Sequence, residues 1–182
     1  MLDSLQIANL PIAWILAALA GLLIFLVGGA AAAGAMLPEK HKTTRAARYR
    51  KRAADLFAIV AGPSDWRPEV RKYELLPPAN GRPRFRETSA RDGAMIYEVV
   101  ESRPPRRLVT RIADDSLAFG GSWTFELLGD AEYTELRITE DGEIHNVLYR
   151  FLARFVFGHA TSIERYLKAL GKKVGEDVKV QA

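Results

Sequence analysis

Apolar residues follow three different spacings along this chain. From Leu10 to Leu37 they run almost without interruption, and no Asp, Glu, Lys or Arg occurs between Ser4 and Pro38. Such a run predicts one helix. At 1.5 Å per residue about 28 residues reach roughly 40 Å, and a hydrocarbon core needs only about 20, so the segment spans with some tilt. Asn9 is the expected cap, Pro11 falls in the first turn, Trp14 sits near one interface and Pro38 ends the helix. A secretory signal would open on a basic region and carry a shorter apolar core; here Asp3 is the only charge before the run.

The second spacing is the alternation of half-buried strands. A polar first strand is expected over 43–49, then a short helix over 52–61 with Leu56, Phe57, Ile59 and Val60 as its apolar side. Gly62 and Pro63 stop that helix. Further strands are expected over 70–75, 83–88, 94–101, 107–113, 121–128 and 132–140, each closed by turn residues such as Asn80-Gly81 or Asp114-Asp115. Strands this closely spaced leave no room for parallel crossovers, so the sheet is antiparallel.

The third spacing is helical. Leu148, Leu152, Phe155, His159, Ile163, Tyr166 and Leu170 fall in one stripe of a long helix expected over 146–171. Arg150, Arg154, Arg165, Lys168 and Lys172 fall on the other side. Lys173 to Ala182 shows no packing pattern and reads as a frayed tail. A sheet with one long helix across it is an α+β arrangement, and the space between them is where a ligand would sit.

Charge orients the chain. Lys40, Lys42, Arg45, Arg48, Arg50, Lys51 and Arg52 follow the apolar run with no acid among them. Basic flanks stay on the cytoplasmic side, so residues 1–9 are expected outside, 10–37 across the inner membrane, 38–42 as a basic linker, 43–175 as a cytoplasmic domain and 176–182 as a tail. The absence of cysteine agrees with a reducing compartment. Lys40, Lys42 and Arg45 suit anionic headgroups. Gly28, Gly29, Ala30, Ala32, Ala33 and Gly34 have the spacing that lets two spanning helices approach, which allows a homodimer through this helix.

The soluble part resembles the helix-grip fold of the START-like, or SRPBCC, superfamily, and bacterial polyketide cyclase/dehydrase-like members in particular. The carriers of the resemblance are Ala53 to Phe57, Trp66-Arg67-Pro68, Pro104 to Val109, Phe119 to Phe125, Thr139 to Glu143 and the closing helix. It implies a curved antiparallel sheet around a C-terminal helix. It implies little about chemistry, because members bind lipids, sterols, polyketides or plant hormones and fold does not carry function over.

Few chemistries have a motif here. His41, His145 and His159 stand in no zinc-binding spacing and there is no cysteine. There is also no phosphate-binding loop, dinucleotide fingerprint or nucleophile elbow, so neither metal nor cofactor is expected. Aromatic residues do not interleave with the basic clusters, which argues against nucleic acid. Alternation places Phe85 with Glu87, Leu136 and Ile138 with Glu140, and Trp123 with Phe125; Thr110 shares a face with Leu108 and Ile112. With inward faces assigned from the resemblance, Phe85, Thr110, Trp123, Phe125, Leu136, Ile138, Glu140, Phe155 and His159 line the cavity. The expected function is a membrane-anchored, non-catalytic domain for a lipid-like or polyketide-like molecule. Two alternatives stay open: an enzyme using Glu87, Glu140 and His159 as acid and base, with Glu87 or Glu140 otherwise paired structurally to Arg67 or Arg111, and a tethered scaffold for protein contacts.

Overall fold

The computed structural model describes residues 4–90, 93–114, 116–129 and 132–182, with side chains from Ile12 onward. Helix α1 spans Ser4–Ala35 and strand β1 spans Lys40–Tyr49. Then come α2 (Ala53–Val60), β2 (Val70–Ala79), β3 (Arg82–Ser89), β4 (Gly93–Arg103), β5 (Arg107–Ile112), β6 (Phe119–Gly129) and β7 (Thr134–Ile144). The chain closes with α3 (Val147–Leu152), a π-helical turn (Ala153–Phe157) and α4 (Thr161–Val174).

Seven antiparallel strands form one sheet in the order β1-β7-β6-β5-β4-β3-β2. Hairpins join β2 through β7 in sequence, and β1 adds beside β7, so the first and last strands meet. Alternation assigns one face of the sheet to α4. Ile163, Tyr166, Leu167 and Leu170 of α4 are buried with Tyr49, Phe125, Leu127, Leu136 and Ile138 of the sheet. Leu56, Phe57 and Val60 of α2 complete that core. The Tyr49 hydroxyl donates to the Leu167 carbonyl at 2.8 Å, which ties β1 to the middle of α4.

Five expectations change here. First, the closing helix is not continuous. Gly158 has φ 75° and separates α3 and its π-helical turn from α4. The Gly158 N–H bonds back to the Ala153 carbonyl, the wide i→i−5 spacing of a π turn. One extra residue per turn rotates the apolar stripe by about 100°. Phe155 is therefore 61% exposed and not a core residue, while Phe157 turns toward the sheet's cavity.

Second, Arg150 is not on a solvated face. It is 8% exposed, and its guanidinium donates to the carbonyls of Ile144, His145 and Leu37 and to the Glu39 carboxylate. Third, the tail is packed. Val174, Val178 and Val180 lie against the core, and Gln181 exchanges backbone hydrogen bonds with Ala46 at 3.0 and 2.8 Å. That bridge covers part of the exposed edge of β1. Glu176 accepts the Arg50 backbone N–H through both carboxylate oxygens.

Fourth, residues 38–42 do not form a loose linker. β1 begins at Lys40 and pairs Lys40 with Glu143 and Lys42 with Asp141 in register. The side chains form ion pairs at 3.2 and 3.4 Å, and Arg45 pairs with Glu164 at 3.1 Å. The three cations are thus matched by acids on β7 and α4, while the Lys40 and Lys42 side chains stay exposed. At about 3.3 Å per residue, β1 carries Arg48 roughly 30 Å from its own start, so the rest of the basic run lies at the far end of the strand.

Helix α1 also starts earlier than expected. It runs unbroken from Ser4, so Asn9 lies inside the helix and not at its start. From Ile12 to Ala35 it is apolar throughout and stands clear of the rest of the chain over most of its length; burial begins only in its last turns, where Gly34 is covered. Its last turns pack against α3: a side chain at Gly34 would collide with the Val147 carbonyl, and only glycine allows this approach. Gly34 is therefore spent on an internal contact. Gly28 and Gly29 face open space.

Candidate functional site: a two-ended cavity beneath the closing helix

Between the concave face of the sheet and the α3–α4 region lies a cavity of about 460 Å³. Its apolar wall comes from alternate residues of neighbouring strands. Tyr73, Phe85 and Tyr97, on β2, β3 and β4, form a stacked ladder with ring centroids 5.3 and 5.2 Å apart. Val99, Leu108, Thr110, Trp123 and Phe125 continue the wall toward β6. The register sets Thr110 opposite Trp123 on one side and Val99 on the other. Tyr166 of α4 forms the floor, with its ring 5.8 Å from Trp123 and 5.5 Å from Phe125. Burial pushes the Tyr166 phenol well up, so it stays protonated at ordinary pH.

Two polar groups face this wall from opposite arms of the sheet. The first is built around Arg67, in the loop after α2. Its guanidinium donates to Glu69 at 3.0 Å and to Glu87 at 3.1 Å, and lies 5.3 Å over the Tyr166 ring. The Ser64 hydroxyl donates to the other Glu87 oxygen. Burial works against the Arg67 charge, but Glu87 and Glu69 outweigh it and hold the guanidinium above its ordinary range. Glu87 is thus a saturated acceptor in an ion pair, the structural alternative expected for it from sequence. Arg111 pairs instead with Glu98, at 2.7 Å.

The second group joins β1, β7 and the start of α4. The rings of His41 and His159 stack at 4.0 Å, and His41 Nε2 lies 3.7 Å from Glu140 Oε1. Glu140 Oε2 is buried without a hydrogen-bond partner. Burial lowers the His159 pKa and the neighbouring His41 lowers it further; Glu140 acts the other way. A lowered imidazole favours the neutral ring in the folded chain. The stability it contributes is fully present above about pH 6.5, the unfolded value. It is lost as pH falls through the lower folded value, because the unfolded chain takes up the proton first. We expect the melting temperature to drop between pH 7 and pH 5, and His159→Gln to flatten that drop. Parallel pH profiles for the two proteins would contradict this reading of the ring.

The candidates from sequence separate into two sets. Phe85, Glu87, Thr110, Trp123, Phe125, Glu140 and His159 line the cavity. Leu136 and Ile138 lie in the solid core beneath α4 and do not reach it, and Phe155 points away. Sequence reasoning missed His41, Ser64, Glu69, Tyr73, Tyr97 and Tyr166 as lining residues. Alternation could have found Tyr73 and Tyr97, which share their faces with Leu75 and Val99. Nothing local marks His41, whose role depends on the pairing of β1 with β7. Among the described residues no three His, Cys, Asp or Glu side chains could hold a metal ion together.

No protein-family model matches the sequence, and no curated protein matches it. Solved structures do. A START superfamily protein from Mycobacterium smegmatis superposes with a TM-score of 0.59 at 21% identity, over 74% of this chain and 97% of its own. The ZhuI aromatase/cyclase from Streptomyces sp. R1128 gives 0.58 at 17% identity, over 73% and 93%. Norcoclaurine synthase from Thalictrum flavum gives 0.58 at 9% identity, over 74% and 86%. These neighbours include enzymes and a protein named only by its superfamily. What they share with this chain is the architecture: its seven-stranded sheet and closing helices have the α+β helix-grip fold of START/SRPBCC proteins.

Proposed function

We propose that this protein is a membrane-anchored receptor for one hydrophobic small molecule, lipid-like or polyketide-like, held in the cavity without chemical change. The cavity carries the reading. Its volume falls within the roughly 300–1,000 Å³ typical of small-molecule sites. Its walls are aromatic and aliphatic, and polar groups sit at two ends where they would fix a ligand's orientation. The apolar helix from Ile12 to Ala35, exposed over most of its length, supports the anchor, and the basic run from Lys40 to Arg52 supports an inner-membrane location with the domain in the cytoplasm. That charge rule acts on the chain during insertion, so the later pairing of Lys40 and Lys42 does not weaken it. A tether holds the cavity close to a membrane-derived ligand and raises its effective concentration.

The test is mass spectrometry of what copurifies with residues 36–182, which keep the domain and drop the span. One apolar compound per chain is the expected result. A folded domain that never carries such a compound, from any extract offered, would defeat the proposal.

One observation favours a second reading, an enzyme of the cyclase/dehydrase kind. The Glu140 carboxylate has Oε1 3.7 Å from His41, which stacks on a ring of lowered pKa, and its Oε2 is unpartnered, an arrangement suited to proton transfer. Glu140→Gln separates the two. In a receptor the variant alters binding at most, and bound ligand leaves unchanged; in an enzyme it keeps binding and loses turnover.

A further inference from the structure

The segment between β7 and α4 carries an apolar surface that the core does not use. Tyr149 is 51% exposed, and Phe155 and Val156 are each 61% exposed. Tyr149, Ala153 and Phe157 of the same segment also line the cavity, so this surface and the cavity mouth share one wall.

The segment's position is fixed by its junction with α1. Gly34, in the last turn of α1, touches the Val147 carbonyl at the start of α3. Arg150 holds the junction rigid by bonding the Leu37 carbonyl and the Glu39 carboxylate on one side and the Ile144 and His145 carbonyls on the other. The apolar stretch of α1 from Ile12 to Ala35 has 24 residues. Those residues reach roughly 36 Å, against a hydrocarbon core of about 30 Å. Its last turn, and Val147 with it, therefore lie at the level of the membrane interface. The side chains suit that level: an aromatic ring with a polar tip at Tyr149, apolar groups at Phe155 and Val156, and Arg154 with its guanidinium 5.9 Å from the Phe155 ring.

We propose that α3 and the π-helical turn form a port seated in the bilayer interface, covered by lipid and opening into the cavity. The proposal rests on the anchor reading above. It names the lipid bilayer as the partner of this surface, because the surface is continuous with α1, which is apolar on all sides. A ligand dissolved in the membrane then enters past Tyr149, Ala153 and Phe157 without crossing water. Gly158, with its positive φ, gives the backbone a place to move there.

The chain has no cysteine, so single labels can be placed cleanly. The full chain is reconstituted in phosphatidylcholine vesicles with a fluorophore on Val156→Cys, Phe25→Cys or Leu128→Cys, and lipids bearing a nitroxide are added. Leu128 lies near the far end of β6 from α1 and is half-exposed, so it reports on the domain away from the membrane. Quenching at Val156 and Phe25 but not Leu128 is expected. Quenching at Phe25 alone would overturn the port and leave the anchor standing. No quenching at Phe25 would remove the anchor, and the port with it. A Val156 label that quenches itself between chains while ignoring the nitroxide would assign the surface to a second copy and overturn the proposal. A second readout tests entry: uptake of an apolar probe from preloaded vesicles should slow at least about tenfold in Val156→Asp, at unchanged final occupancy. Equal rates would contradict the port.

Discussion

Replacing Arg67 by Met is expected to cost about 3–5 kcal/mol of stability, the usual consequence of stranding one partner of a buried ion pair. Arg67 is the only cation that the structure places against both Glu87 and Glu69 among the described residues, and the Glu87 side chain is 9% exposed. Without the guanidinium, two carboxylates face a largely apolar wall and the Tyr166 ring loses its cationic neighbour. Most of the cost is the desolvated charge left behind, not the attraction lost. Arg67→Met combined with Glu87→Gln should therefore recover a substantial part of the loss. Chemical denaturation of the two single variants and the double variant measures this. A loss under about 1 kcal/mol for Arg67→Met would show the cluster to be effectively solvated.

Much of the domain was legible because its signals are periodic. Phe85 and Glu87, or Trp123 and Phe125, alternate over enough residues that their shared face could be assigned before any pairing was known, and those four do line the cavity. The order of strands and the closing helix follow from the same alternation and from turn residues. Three other features depend on contacts that leave no local trace. The apolar period of the closing helix persists on both sides of Gly158, so the π-helical turn that swings Phe155 outward and Phe157 inward is invisible in the spacing. The cations at Lys40 and Lys42 look unmatched until β1 is set against β7, where Glu143 and Asp141 meet them. Leu136 and Ile138 have the correct face but the wrong depth, since α4 covers that part of β7 and leaves no space there. Alternation gives a side, not a distance from the helix.

Thr110→Trp carries the other large effect. Thr110, on β5, lines the cavity between Val99 and Trp123 in neighbouring strands. In a filled core an added indole would overpack and cost about 1–3 kcal/mol or more. In an open cavity the indole occupies space that a ligand would need, and the fold tolerates it. A ligand body excluded by that side chain loses more than about 3 kcal/mol of contact, which is over 100-fold in affinity.

Whether the cavity is a ligand site is tested most directly by a titration. Residues 36–182, native and Thr110→Trp, are titrated with an apolar fluorescent probe, and their melting is followed in parallel. We predict saturation at one probe per chain in the native domain, and no saturable binding in a Thr110→Trp domain that still melts cooperatively near the native temperature. Stoichiometric binding that survives in the folded Thr110→Trp domain, or no saturable binding in the native one, would contradict a ligand site in this cavity.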